Sequence, residues 1–545
     1  MLKRHPPPPV PPVFFHVAAG ALIAAFFLQS FLSSLVKSPT SDEPPHIAAG
    51  LSYVQKGVFT PNPQHPPLLK EMAAISLLLA GVRLPDSPTV SAMLNEPQGP
   101  QFEWGVGNDL ITQGGPQKVM FWARLPLILL STLLGLLIYL WGRRILGDTG
   151  ALGALFLFAM DPNLLAHSQF VTTDMGMAVF TTLFFFSLWS YLRSPGLARL
   201  LWSGFAMGLL LCAKFSAVFM IPVSLALLLA AALLQPREEG QNTGKRLAGA
   251  FCQFGVMGIV ASLVVMAIYF STSGLSAYVH GLRSVYADAN PNYLAYMAGE
   301  LKPRFASYFA VAWLLKEPLA SIALVILGLV ALIRSRQIGV LDKLFLFLPP
   351  AVLFVACTAW AVDMGIRYLI PAFPFACLAG GAGIAMLIRN RSTWTRGLTA
   401  VLCVWIAVAA AGIYPDHLSY FNEAACLFQA PGKLGFDGGT NCGPWWLDDS
   451  NTDWGQGLLQ LRIWRNAHPD SRAMRLAYFG SFTPEPYGIV PEAVGDANFV
   501  RDPVPGLYVI SAKFVSRAPA SWIRTIPPIA IVGHALYVYD IQKKP

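Results

Sequence analysis

Residues 41–70 read SDEPPHIAAGLSYVQKGVFTPNPQHPPLLK and crowd an acid pair (Asp42, Glu43), two histidines (His46, His65) and two lysines (Lys56, Lys70) between prolines. They follow directly on an apolar run at about 13–35, long enough to cross hydrocarbon as a helix. Acids, imidazoles and ammonium groups gathered where a chain leaves a membrane point to chemistry on a substrate with a lipid tail.

Outward from this stretch, the 545 residues are 55% apolar and only 12% charged, the composition of a polytopic membrane protein. Apolar runs recur to about residue 414 and give about eleven spans, the last at 397–414. The net charge of +9 is not a nucleic-acid patch. Arg143, Arg144, Arg193, Arg199, Arg237, Lys245, Arg246, Arg334, Arg336, Lys343, Arg389, Arg391 and Arg396 fall in the short loops between alternate runs, the positive-inside pattern. Lys3 and Arg4 put the start inside, so residues 1–12 are expected as a cytoplasmic Pro-rich tail and the acid pair lies outside. The expected site is an inner, cytoplasmic membrane with the acid pair on its extracytoplasmic side.

The first outer loop, 37–118, is expected to hold a helix lying on the membrane surface, since Ile47, Leu51 and Val54 share one face. A second helix opens at Pro66-Pro67 and runs to about Val82, and residues 85–118 read as loop. After the membrane domain, 13–414, residues 415–545 turn polar and aromatic. Strand-like runs at 475–480, 507–511 and 529–541 and a helix over 457–467 predict a small extracytoplasmic α/β domain. Cys426 and Cys442 lie in it; an oxidising compartment permits a disulfide, but their spacing leaves two free thiols equally open.

Ionisable residues at membrane depth are costly and therefore candidates for function. Asp174 opens an apolar run, where an N-cap role competes with a functional one, and Lys214 in LLCAKFSAVF needs an anionic partner. Arg124 and Arg367 sit at outer ends of spans, where guanidinium suits phosphate. For Lys316, Asp363 and Arg283 a snorkelling or capping role is preferred. Asp448, Asp449 and Asp453 with Trp445, Trp446 and Trp454 read equally as a sugar-facing surface or a capped helix start.

These motifs resemble the GT-C glycosyltransferases of the protein O-mannosyltransferase and lipid A aminoarabinose transferase type, glycosyltransferase family 39. The residues that carry the resemblance are DEPPHIAAGLSYVQKG with NPQHPPLLK, FVTTDMGMAVF, AKFSAVFMIP and RYLIPAFPF, with YPDHLSYFNE and DDSNTDWGQGLLQL in the tail. The resemblance implies a GT-C fold, Asp42 as catalytic acid and Asp174 as second functional acid. It also places Arg124 and Lys214 near a lipid phosphate. Gln64-His65 departs from the Glu-Lys that the aminoarabinose transferases carry before the double proline, which argues against that specificity.

The expected function is therefore transfer of a sugar from a polyprenyl-phosphate donor to a hydroxyl acceptor, with inversion and an Asp base. Catalytic roles fall to Asp42 and Asp174, and substrate binding to Glu43, His46, His65, Lys70, Arg124, Lys214, Arg367 and Tyr368. No cofactor is required by the pattern; a divalent metal on Asp42, His46 and His65 is the alternative. The rival functions are a lipid or glycolipid flippase, which would show an inverted repeat not visible here, and an inactive scaffold.

Overall fold

The computed structural model describes residues 12–95, 102–234, 242–287, 292–390, 392–427, 430–469, 473–492, 500–518 and 521–542. The Pro-rich tail up to residue 11, Arg237 and Arg391 lie outside them. Eight helices among the described residues are long and apolar enough to cross a membrane. The pair Tyr308–Lys316 and Leu319–Arg334, bent by 112°, counts as one further broken span.

The helix Pro116–Ala159 is two spans joined at Gly147, whose φ of 79° and ψ of 177° interrupt it. With the shorter apolar helix Leu197–Ala213, these breaks reproduce the roughly eleven apolar runs of the sequence. The bend in the eighth run corrects the straight span expected there: Glu317-Pro318 takes an extended backbone, and proline cannot continue the helix before it. The helix Phe373–Arg389 packs against Pro116–Ala159 and Leu319–Arg334. A Cβ on Gly328 would stand 1.6 Å from the Ala379 carbonyl oxygen, so only glycine permits that approach.

The first outer loop differs from expectation. The helix Glu43–Lys56 begins with Pro44 and Pro45 in its first turn and ends on Gly57 at φ 66°. It is buried from Glu43 to Tyr53, not laid flat on a membrane surface. The cover comes from the segment read as loop: Pro88–Asn95 and Phe102–Gly114 are helical, and the latter packs on it, burying Val106, Leu110 and Ile111. That spacing is helical, but the Gly and Asn content around it masked the signal. A Cβ on Gly107 would reach 2.2 Å from the Pro44 carbonyl oxygen, so the two helices cross in backbone contact. The second proline-led helix runs Leu68–Leu79 and keeps Ile75 and Leu79 exposed, as an interfacial helix does.

In the tail a four-stranded sheet pairs Met474–Ala477 parallel to Gly506–Ser511, which pairs antiparallel to Leu536–Ile541, with Ala530–Val532 at the far edge. The run expected as one strand over 529–541 is thus a hairpin. Gly533 (φ 60°) and His534 (φ 52°) form the left-handed turn that folds it. The helix Leu458–Ala467 lies where the sequence placed it. Cys426 and Cys442 are joined as a disulfide.

The tail is fastened to the first outer loop. Ser41 N–H donates to the Trp454 carbonyl at 2.9 Å and Ser38 N–H to that of Gln456 at 3.1 Å. Leu458 N–H donates to Ser38 Oγ at 3.0 Å, and Lys37 pairs with Asp416.

Candidate active site

Neighbours in sequence, Asp42 and Glu43 face different environments. Glu43 is fully buried. It accepts Arg124 Nε and Nη2 at 2.8 and 2.6 Å, and the backbone N–H groups of Thr40 and Val171 at 2.9 Å each. Arg124 sends its remaining donors to the carbonyls of Ser34, Lys37 and Ser38 at 3.1, 3.0 and 2.9 Å. A guanidinium has five N–H groups, and all five are engaged. Neither residue has capacity left for a ligand. Expected among the substrate-binding residues, the pair in this structure locks the loop to the membrane helices.

Lys70, also expected to bind substrate, is engaged in the same way. Its three N–H groups go to Tyr53 Oη and the carbonyls of Asn62 and His65 at 3.1, 2.6 and 2.9 Å. It ties the proline-rich turn together and has no donor for a phosphate.

Asp42 keeps 29% of its side chain exposed and meets Arg367 Nη1 at 2.9 Å. Arg367 lies in the 3₁₀ turn Ile366–Ala372, which follows Gly365 and interrupts the start of a span. Its guanidinium lies 4.4 Å from the Trp454 ring centre and 5.3 Å from that of Tyr368. The Tyr368 ring also carries Lys214, whose Nζ is 4.6 Å from its centre. Lys214 is extended (φ −156°, ψ 140°) between Leu197–Ala213 and a 3₁₀ turn. That break aims its ammonium at Asp174 Oδ1, 2.5 Å away. Asp174 is buried in the first turn of Asp174–Arg193.

Asp42, Arg367, Tyr368, Lys214 and Asp174 thus form one continuous row. Unlike Arg124 and Lys70, its cations keep donors in reserve: among the described residues Arg367 Nε is buried without a partner, and Lys214 spends one of three N–H groups on Asp174.

His46 and His65 pack edge to face, ring centres 5.3 Å apart, and His46 Nδ1 is 2.7 Å from the Val171 carbonyl oxygen. Among the described residues no three His, Cys, Asp or Glu side chains converge as a metal-ligand set, so the Asp42, His46 and His65 alternative is not assembled. Burial, with the Lys70 ammonium, pushes His46 down to about 4, and burial with His46 beside it holds His65 well below the usual imidazole range.

A pH effect follows. Below pH ~6.5 the unfolded chain takes up a proton at His46 that the folded chain refuses, so stability is lost as pH falls towards about 4. Buried acids pushed upward, Asp453 to about 7 and Glu71 to about 8, tilt the curve the other way. The histidine contribution is therefore read as a difference. His46→Gln should gain on wild type by about 1 kcal/mol per pH unit between pH 6 and 4.5 in detergent unfolding curves. A difference independent of pH would contradict it.

The acidic and aromatic cluster of the tail resolves towards structure. Asp448 pairs with Arg517, Asp449 with Lys513 at 2.6 Å and Tyr293 at 3.3 Å, and Asp453 accepts Gly455 N–H at 2.9 Å. Trp445 is covered by Arg524 at 4.4 Å. Lys316 donates to the carbonyls of Leu418 and Asn451, and Asp363 accepts Phe305 N–H, so both hold backbone. Trp454 is the exception and the residue whose role sequence reading left undecided: it reaches out of the tail to floor Arg367. His167, edge to face with it at 6.1 Å, is buried and pushed down to about 3, which leaves it neutral.

Beyond the row, an apolar groove of about 420 Å³ runs between the helices, lined by Trp313, Leu346, Phe354 and Phe373 and reaching Leu369.

Residues 116–257 match the family described as dolichyl-phosphate-mannose-protein mannosyltransferase. No curated protein sequence gives a significant match. Among solved structures, ArnT from Cupriavidus metallidurans bound to undecaprenyl phosphate aligns over 95% of this chain and 97% of its own, at 12% identity and a TM-score of 0.48. The apo oligosaccharyltransferase of Archaeoglobus fulgidus aligns over 92% of this chain and 71% of its own, at 11% identity and a TM-score of 0.48. AglB of the same organism, in complex with an inhibitory peptide and a dolichol-phosphate, aligns over 91% and 70%, at 12% identity and a TM-score of 0.42.

Proposed function

We propose that this polytopic chain, which carries a GT-C superfamily segment of the mannosyltransferase type over residues 116–257, transfers a sugar from a polyprenyl-phosphate donor to a hydroxyl acceptor. The observation that carries the reading is the row itself: a partly exposed carboxylate, Asp42, beside two cations with donors in reserve, at the ends of apolar helices.

Asp42 takes the acceptor's hydroxyl proton as that oxygen attacks the anomeric carbon. The bond from that carbon to the phosphate oxygen breaks, and polyprenyl phosphate leaves with the electron pair. Its growing charge is met by the free donors of Arg367 and Lys214, which need no rearrangement to receive it. Asp174 holds Lys214 in place, and Tyr368 and Trp454 fix the planes of the cations. The prenyl tail suits the apolar groove that reaches Leu369. Attack opposite the leaving group inverts the centre. The site is assigned to the extracytoplasmic face of the inner membrane, on the strength of the basic loops at the other helix ends.

The test is release or transfer of labelled sugar from polyprenyl-phosphate sugars by the purified full-length protein in detergent, with membrane extract as acceptor. Turnover of at least one donor is expected. Binding of polyprenyl phosphate without turnover of any donor would instead favour a carrier or a scaffold.

A further inference from the structure

At the other end of the same helices a cavity of about 740 Å³ opens between helix ends, some 30 Å from the candidate active site by the length of Asp174–Arg193. Its rim carries three arginines from three segments, Arg144, Arg193 and Arg199, against one acid, Asp342. Arg193 directs Nη2 at Asp342, whose Oδ1 also accepts Trp189 Nε1 at 2.7 Å. The other two have no carboxylate partner among the described residues. Among the described residues Arg144 has one long contact, 3.4 Å to Ser190 Oγ, and its guanidinium lies 5.3 Å from the centre of the Phe186 ring. Arg199 has one bond, 2.5 Å to the Ser194 carbonyl. Among the described residues, two guanidiniums with donors to spare face one cavity, and no carboxylate beyond Asp342 lines it.

The floor has the opposite character. Leu137 and Leu183 line it two to three turns deeper along the helices that carry Arg144 and Arg193, about 10–15 Å towards the hydrocarbon. Trp202, half exposed, stands at the rim, where indole rings mark the membrane interface. Cations at headgroup depth above an apolar slot match one molecule class, an amphiphile with an anionic phosphoryl head and acyl chains.

We propose that this cavity binds the phosphoryl headgroup of an anionic glycerophospholipid, with Arg144 and Arg199 on the phosphate and an acyl chain along Leu137 and Leu183. A free phosphate would use the arginines but leave the apolar slot empty. The site is independent of the candidate active site, since a full span separates them.

The test uses delipidated full-length protein in non-ionic detergent, titrated with phosphatidylglycerol or phosphatidylcholine and read by native mass spectrometry. Phosphatidylglycerol should bind with defined stoichiometry and more tightly than phosphatidylcholine. Arg144→Gln with Arg199→Gln should weaken it about tenfold or more, and the Arg→Lys pair should retain most of it. Both arginines are exposed, so the variants should fold, which size-exclusion elution checks. Equal binding of the two lipids, or wild-type binding by the double Gln variant, would overturn the site. Displacement of the lipid by inorganic phosphate at matching concentration would assign the arginines to a soluble anion and overturn the lipid assignment.

Discussion

Asp42→Asn is expected to lower sugar transfer about 10²- to 10⁴-fold, the range a positioned general base contributes. Asparagine keeps the shape of the side chain but accepts no proton at neutral pH. Because Asp42 is partly exposed and bonded through its side chain to Arg367 alone among the described residues, the change should leave elution and thermal unfolding close to wild type. The amide oxygen can still accept from Arg367, so donor affinity should hold while turnover collapses. Turnover within threefold of wild type would remove Asp42 from the chemistry.

Arg124→Met is expected to act on folding. Removing the guanidinium leaves Glu43 buried and without its cation, and strips hydrogen bonds from the carbonyls of Ser34, Lys37 and Ser38. Breaking a buried pair in this way costs about 3–5 kcal/mol. The folded fraction should fall, and what remains folded should bind polyprenyl phosphate as wild type does. Replacing both partners, Arg124→Met with Glu43→Leu, should recover part of the loss, because no charge is then stranded. A stable Arg124→Met protein with weakened donor binding would return Arg124 to the phosphate.

The contrast between these variants locates what was legible in the sequence. Span number and the gathering of acids with cations could be read directly, because hydropathy and loop charge are local properties. That Lys214 needs an anion was legible, since an unpaired lysine in an apolar run is costly; that Asp174 supplies it came from the structure. Which of Asp42 and Glu43 faces the site was not settled by residue type alone. Neighbours at a helix start point in different directions, and only the packing of Arg124 and Val171 decides which is swallowed. Nor does the type of a cation reveal whether its donors are free: Lys70 and Lys214 look equivalent in sequence, yet one has three protein partners and the other one. The helices at 88–95 and 102–114 escaped because such short segments carry a weak periodic signal; packing stabilises them, 102–114 against Glu43–Lys56 and 88–95 against 102–114.

The bond from Ser41 to Trp454 joins residues 413 positions apart. A ribosome adding about 5–20 residues per second takes roughly 20–80 s to cover that distance. Through that interval the acid pair has been made but first Arg367 and then its indole is missing, and the loop has no tail segment to bond to. A nascent chain is thus held inactive by its own order of synthesis, and a product cut short before Trp454 should be inert however well its membrane helices insert.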